Sequence, residues 1–175
     1  RRPLDGLILR ISASDFYGPE KLSVDSLIEK YRHINELLRK TQSVLGLTLP
    51  IYVLITNTDV VKGFTEFWNE VPSHRHGEIF GWSAPYMPSA EFDQGWVTEA
   101  FQSINSNLNE LIVELAASGE ANSTKSNAML FPGDFAQLSE SMATGLTQLL
   151  RASSFDNSFM LRGIYFVGKV SETVT

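Results

Sequence analysis

A short apolar run, Ile51-Tyr52-Val53-Leu54-Ile55, follows a long amphipathic segment with little but Gly46 and Pro50 between them. This juxtaposition constrains the fold more than anything else in the chain. The run is short, β-branched and bounded by turn residues, which favours a buried strand over a helix. Before it, from about Val24 to Val44, Leu27, Ile28, Tyr31, Ile34, Leu37, Leu38, Val44 and Leu45 recur mostly at intervals of three and four, the period of an amphipathic helix. Ser26 and Glu29 are spaced as a capping box, and Gly46 and Pro50 supply the stop. Earlier still, Leu4 to Ile11 reads as a strand apolar on most of its faces, the kind found inside a parallel sheet. Strand, helix, strand predicts a right-handed parallel crossover, and hence an α/β fold.

The pattern changes after Trp68. Val60 to Trp68 reads as a short helix or turn rich in aromatics, and residues 70 to 90 hold Pro72, Gly77, Gly81, Pro85 and Pro88 among His74, His76, Trp82 and Tyr86, an ordered aromatic loop. Helical spacing resumes from Glu91 to Ala117 and again from Pro132 or Gly133 to Leu150, with the polar linker Ser118 to Asn127 between them. Phe159 to Val167 returns as a strand. The expected organisation is a sheet portion of about three strands from residues 1–69 and 159–175, with residues 70–158 inserted as a helical subdomain.

Composition narrows the function. At 175 residues and 43% apolar content the chain can bury a real core. A net charge of −6, with 14 scattered basic residues, argues against a general nucleic-acid binder. The absence of cysteine excludes disulfide scaffolds, thiolate zinc sites and cysteine nucleophiles. No apolar run approaches the ~20 residues that cross a bilayer as a helix. A chain opening on Arg1-Arg2-Pro3 reads as a piece of a longer polypeptide.

Several constellations carry chemistry in principle. The strand at Ile51 runs into Thr56-Asn57-Thr58-Asp59, which has the Asp of a guanine-reading [N/T]-K-x-D segment but Asn57 in place of its Lys. The Asp of that motif accepts hydrogen bonds from the base edge and the Lys stem covers the base; Asn57 does neither. Gly163 to Lys169 fits G-x-x-x-x-G-K, yet its interior is β-branched and aromatic and Val170 stands where Ser or Thr holds magnesium, so it reads as a strand and not a phosphate loop. His74, His76 and Glu78 alternate as zinc ligands would on an extended segment, but a third and fourth partner are wanting, and a loop is the plainer reading. No Gly-x-Ser-x-Gly elbow supports a serine hydrolase. Phe64, Phe67, Trp68, Phe80, Trp82, Tyr86, Phe92 and Trp96 are first a core that closes the insertion onto the sheet, and second a docking surface on the Pro-rich loop. The helix face carrying Glu29, Lys30, Arg32, Glu36, Arg39 and Lys40 is a solvated one.

Five blocks in order, Arg2 to Leu9, Leu49 to Thr56, Gly63 to Phe67, Phe131 to Phe135 and Leu161 to Phe166, make essentially the whole chain resemble the cytoplasmic part of the IcmF/TssM family of bacterial type VI and related type IVB secretion systems. The resemblance implies the later half of a GTPase-like cytoplasmic domain whose phosphate loop, where a member has one, lies upstream. It places the base-reading segment on Thr56, Asn57, Thr58 and Asp59. It also implies a second base-facing loop after Arg162-Gly163-Ile164-Tyr165-Phe166, where this chain departs from the usual family pattern with Val167-Gly168-Lys169-Val170-Ser171-Glu172-Thr173. The implied role is a non-catalytic scaffolding module at the cytoplasmic side of the inner membrane, with no catalytic residue, metal or cofactor of its own. Its implied partners are the companion inner-membrane subunit (DotU-like) and baseplate components. The alternative is that Thr56, Asn57 and Asp59 form the base-reading half of a GTP- or ATP-binding switch in the intact protein.

Overall fold

The computed structural model describes residues 4–87, 89–117, 123–153 and 159–170. Arg1 to Pro3, Pro88, the first half of the polar linker and residues 171–173 of the second base-facing loop lie outside the described residues. The elements are β1 (Leu7–Ser12), α1 (Val24–Leu45), β2 (Ile51–Thr56), α2 (Phe64–Glu70), β3 (Gly81–Ser83), α3 (Gly95–Ala117), α4 (Ser123–Ala128), α5 (Phe131–Ala136), α6 (Leu138–Leu150) and β4 (Leu161–Phe166).

They build a mixed α/β fold around a sheet in the order β1-β2-β4-β3, with β1, β2 and β4 parallel and β3 antiparallel. The expectation of about three strands is corrected to four among the described residues. Gly81-Trp82-Ser83 is too short and too closely flanked by Gly and Pro to carry a period-2 signal, yet it pairs residue for residue with Gly163 to Tyr165. A side chain at position 81 would bring its β-carbon 2.5 Å from the Ile164 carbonyl oxygen, so the close approach of β3 to β4 requires glycine there.

Helix α1 begins at Val24, where its spacing places it, but it is capped one turn ahead of the expected Ser26. Ser23, not Ser26, is the N-cap, its hydroxyl accepting from the Ser26 amide at 3.2 Å. Gly46 closes the helix in the left-handed conformation at φ 63°, donating to Gln42 and Ser43 carbonyls. A 22-residue helix is roughly 33 Å long against roughly 20 Å for a six-residue strand, so α1 overhangs the sheet. Only Leu27, Tyr31 and Asn35 are buried along it, while Leu37, Val44 and Leu45 of the expected apolar stripe are exposed. The helix expected from 132 or 133 to 150 is two helices that meet at Gln137. The second half of the polar linker is helical, falling within α4 (Ser123–Ala128).

One contiguous core joins the sheet to its helices. Ile51, Val53, Ile55, Ile164 and Phe166 cluster with Leu27 and Tyr31 of α1, Phe101 and Leu108 of α3, Phe135 of α5 and Leu146 of α6. Gly145 lets α6 approach α1: a β-carbon there would stand 3.1 Å from Phe16 and 3.4 Å from Tyr31. Asn35 secures the same contact, donating from the helix to the Leu149 carbonyl at 2.7 Å and to that of Arg151 at 3.3 Å. Arg39 adds a bond to the Arg151 carbonyl and lies 4.6 Å over the ring of Phe159.

Candidate functional site

The carboxyl ends of β1, β2 and β4 converge, which in parallel sheets is the edge that offers polar groups to ligands. Thr56 is nearly buried, its hydroxyl donating to the Ile11 carbonyl at 3.2 Å. Asn57 takes the left-handed conformation, φ 57°, which a short polar side chain tolerates. Its amide nitrogen donates to Ser12 Oγ at 3.1 Å. Thr58 is fully buried and donates twice to the Val167 carbonyl, from its amide at 3.1 Å and its hydroxyl at 3.0 Å. Asp59 Oδ1 accepts from the Lys169 amide at 2.9 Å. Gly168 permits this: any β-carbon there would lie 2.8 Å from the Asp59 amide nitrogen and 2.6 Å from the Phe64 ring.

The structure therefore brings Thr56, Asn57 and Asp59 together, but as a seam. Each side chain bonds to protein groups on the neighbouring strand ends, stitching β2 to β1 on one side and to the chain leaving β4 on the other. The sequence reading missed this use because partners such as Lys169 and Val167 are distant in sequence and contribute backbone atoms, which no residue pattern advertises.

Beside the seam lies an apolar cavity of about 750 Å³ on one face of the sheet. Register places Ile8 beside Tyr52 and Gly163, and Arg10 beside Leu54 and Tyr165, so these residues share that face. Trp68, Ile79 and Phe80 form its wall, and Asp5 and Glu78 contribute acidic groups. Tyr165 lies across Gly163, and its hydroxyl is 2.8 Å from Ser83 Oγ. Ile8 is 74% exposed and Ile79 80% exposed.

The aromatic group divides. Phe64, Phe67, Trp82, Phe92 and Trp96 are buried, and Trp68 and Phe80 pack against the core. Tyr86 is the exception: it stacks on Trp96 at 4.3 Å, and its hydroxyl donates to Glu99. That bond, and then burial, hold its pKa above the ordinary tyrosine value. Arg162 donates to the carbonyls of Tyr86 and Met87 at 3.1 and 3.3 Å, so the loop is braced while Met87 stays 74% exposed. His74, Arg75 and His76 form or border a 3-10 turn instead of an extended segment. His76 Nε2 is bonded to the Val71 carbonyl at 2.8 Å, and Glu78 is paired with Arg75. Among the described residues no group of three His, Asp or Glu is placed to hold a metal ion.

A second polar cluster gave no sequence signal. Asp15 accepts from Lys30 Nζ at 2.7 Å and from the Tyr31 hydroxyl at 2.8 Å. Burial, reinforced by the Asp15 charge, pushes the Tyr31 pKa well above the usual tyrosine range.

Among the described residues no helix is long and apolar enough to cross a membrane. No solved structure matches the chain. The type VI secretion system component TssM1 of Pseudomonas aeruginosa is 27% identical over 177 residues, an alignment that takes in 98% of this chain and 16% of that relative. The described chain thus spans about a sixth of the length of the curated relative it matches. The IcmF-related N-terminal domain model matches residues 1–175, and the chain belongs to that family.

Proposed function

We propose that this chain is a structural, partner-binding module of a bacterial secretion-system membrane complex, held at the cytoplasmic side of the inner membrane, with a companion inner-membrane subunit and baseplate components as its partners. Family membership supports the setting. The observation that carries the non-catalytic reading is the seam: Thr58 and the polar side chains of Thr56, Asn57 and Asp59 are spent on holding strand ends together. The braced loop presenting Met87 beside the stacked Tyr86 and Trp96 supports a docking role, because a loop whose backbone is already held loses little backbone entropy on binding.

In this reading the sheet is the later half of a GTPase-like domain. The position of Asp59 just past a parallel strand's carboxyl end supports that descent, and it also favours the second reading, a base-reading half of a GTP- or ATP-binding switch. One experiment separates them. Asp59→Ala in the intact protein leaves its affinity for GTP or ATP within about twofold by calorimetric titration if the segment is a seam. A loss of about tenfold or more, about 1.4 kcal/mol, favours the switch and overturns the scaffold-only reading. In parallel, Met87→Asp weakens co-purification of the companion inner-membrane subunit. Unchanged recovery removes the loop from the docking surface.

A further inference from the structure

Where α1 outruns the sheet, Leu37, Val44, Leu45 and Leu47 are all exposed, Val44 at 79%. A single exposed leucine is ordinary on a protein surface, but three aliphatic residues within four positions at a projecting helix end form a patch. The backbone of this corner is fixed. Gly46 ends the helix with its amide on the Gln42 and Ser43 carbonyls, the Leu47 amide donates to the Gln42 carbonyl at 3.2 Å, and the Gln42 side chain donates to the Leu49 carbonyl at 3.1 Å. The aliphatic side chains are thus presented by an ordered turn and not by a loose one.

Charge selects what the corner meets. In a chain of net charge −6, no Asp or Glu occurs between Glu36 and Asp59. Lys40 is exposed about one turn from both Leu37 and Val44, and the bond from Arg39 to the Arg151 carbonyl at 2.6 Å brings exposed Arg151 to the same half of the helix. Asp5, just ahead of β1, lines the cavity on the sheet's other face. The opposite end of α1 lacks this bias: exposed Val24 stands beside Asp25, with Glu20, Lys21 and Glu29 close in sequence. We propose that the corner is a peripheral membrane contact, in which Val44, Leu45 and Leu47 enter the interfacial layer of an anionic bilayer and Lys40 meets lipid phosphates. This rests on the reading that holds the chain at the cytoplasmic side of the inner membrane. Aliphatic tips beside cations, with no acid among them, suit such a surface, because burial of apolar area and attraction to anionic headgroups add.

The test uses the full-length protein reconstituted in phosphatidylcholine vesicles with or without phosphatidylglycerol, with Val44 or Val24 replaced by the photo-cross-linking residue benzoylphenylalanine. After irradiation, mass spectrometry is expected to find lipid adducts on the position-44 peptide and few on the position-24 peptide. The adducts at position 44 are about fivefold more abundant with phosphatidylglycerol than without it, the worth of one cation near the surface, and Lys40→Glu removes that gain. Equal adducts at the two positions, adducts indifferent to phosphatidylglycerol or to Lys40→Glu, cross-links from position 44 to a second copy or to the companion subunit, or no cross-link at all overturn the proposal. Co-purification of the companion subunit, measured on the same preparation, tests the scaffold reading separately: where it is retained and lipid adducts are missing, this inference alone is overturned.

Discussion

The two faces of one sheet make an instructive pair. Along β2, Ile51, Val53 and Ile55 point one way and Tyr52 and Leu54 the other, and all five are apolar. The first three are sealed at 0% exposure, whereas Tyr52 is 36% exposed on the open side. Residue type alone does not distinguish the faces. What distinguishes them is their cover: residues of α1, α3, α5 and α6 cluster with Ile51, Val53 and Ile55, whereas the other face looks onto a cavity walled in part by Phe64 and Trp68 of α2, so coverage is a property of connectivity and not of the strand's composition.

The sharpest way to break the comparison is to truncate matched residues on the two faces. Ile55→Ala in this chain costs about 2–5 kcal/mol by chemical denaturation, the range for a fully buried Ile. Ile8→Ala costs about 0.5 kcal/mol or less, as for an exposed site. Equal losses would erase the distinction. Repeating Ile8→Ala in the full-length protein sharpens it: a loss that grows to about 1–2 kcal/mol marks a face that has been covered.

Next in size is a pH effect confined to the covered side. The folded-state pKa of Tyr31 is raised by burial and by Asp15, so above about pH 10 the unfolded chain releases a proton that the folded chain keeps. Stability from this group is whole below pH 10 and falls by about 1.4 kcal/mol per pH unit above it. Tyr31→Phe flattens that slope in thermal melts taken from pH 9 to 11. An unchanged slope would assign it to other groups.

Smaller still is the seam at the sheet's edge. Asp59→Ala removes one charge-assisted bond to the Lys169 amide at an exposed position, and about 0.5–1.5 kcal/mol is expected, with faster amide exchange at Lys169. The smallest effect is that of Met87→Asp, within about 0.5 kcal/mol on stability, because the loop is held by Arg162 and Trp96 rather than by the Met87 side chain.

Much of this was legible in the residues. The runs at Leu7, Ile51 and Leu161 and the period of α1 and α3 announced their elements within a few positions, since local pattern and tertiary burial agree there. The sequence was mute where position depends on distant partners. β3 exists because β4 offers an edge to three residues, and the break at Gln137 divides what spacing alone reads as one helix. The Ser26 and Glu29 pair had the right spacing for a cap, but Ser23 lies one turn ahead and takes the role. Thr56 to Asp59 showed a recognisable motif, yet its engagement depends on Val167 and Lys169 backbone atoms, which have no residue signature. The open face was illegible for the same reason that makes it informative: its residues are as apolar as the buried ones.

The place of β4 in the sheet has a kinetic consequence. It is the last of the described strands but sits between β2 and β3, pairing Tyr52 with Gly163 and Trp82 with Ile164. During synthesis, β1, α1 and β2 emerge together and can assemble through near neighbours, but β2 then presents an unpaired edge until more than a hundred further residues have been made. Loop closure of that length is slow, and an unpaired β-branched edge is the surface on which nascent chains associate wrongly. Refolding of this sheet is therefore expected to be limited by the arrival of β4, and its yield to fall steeply with concentration.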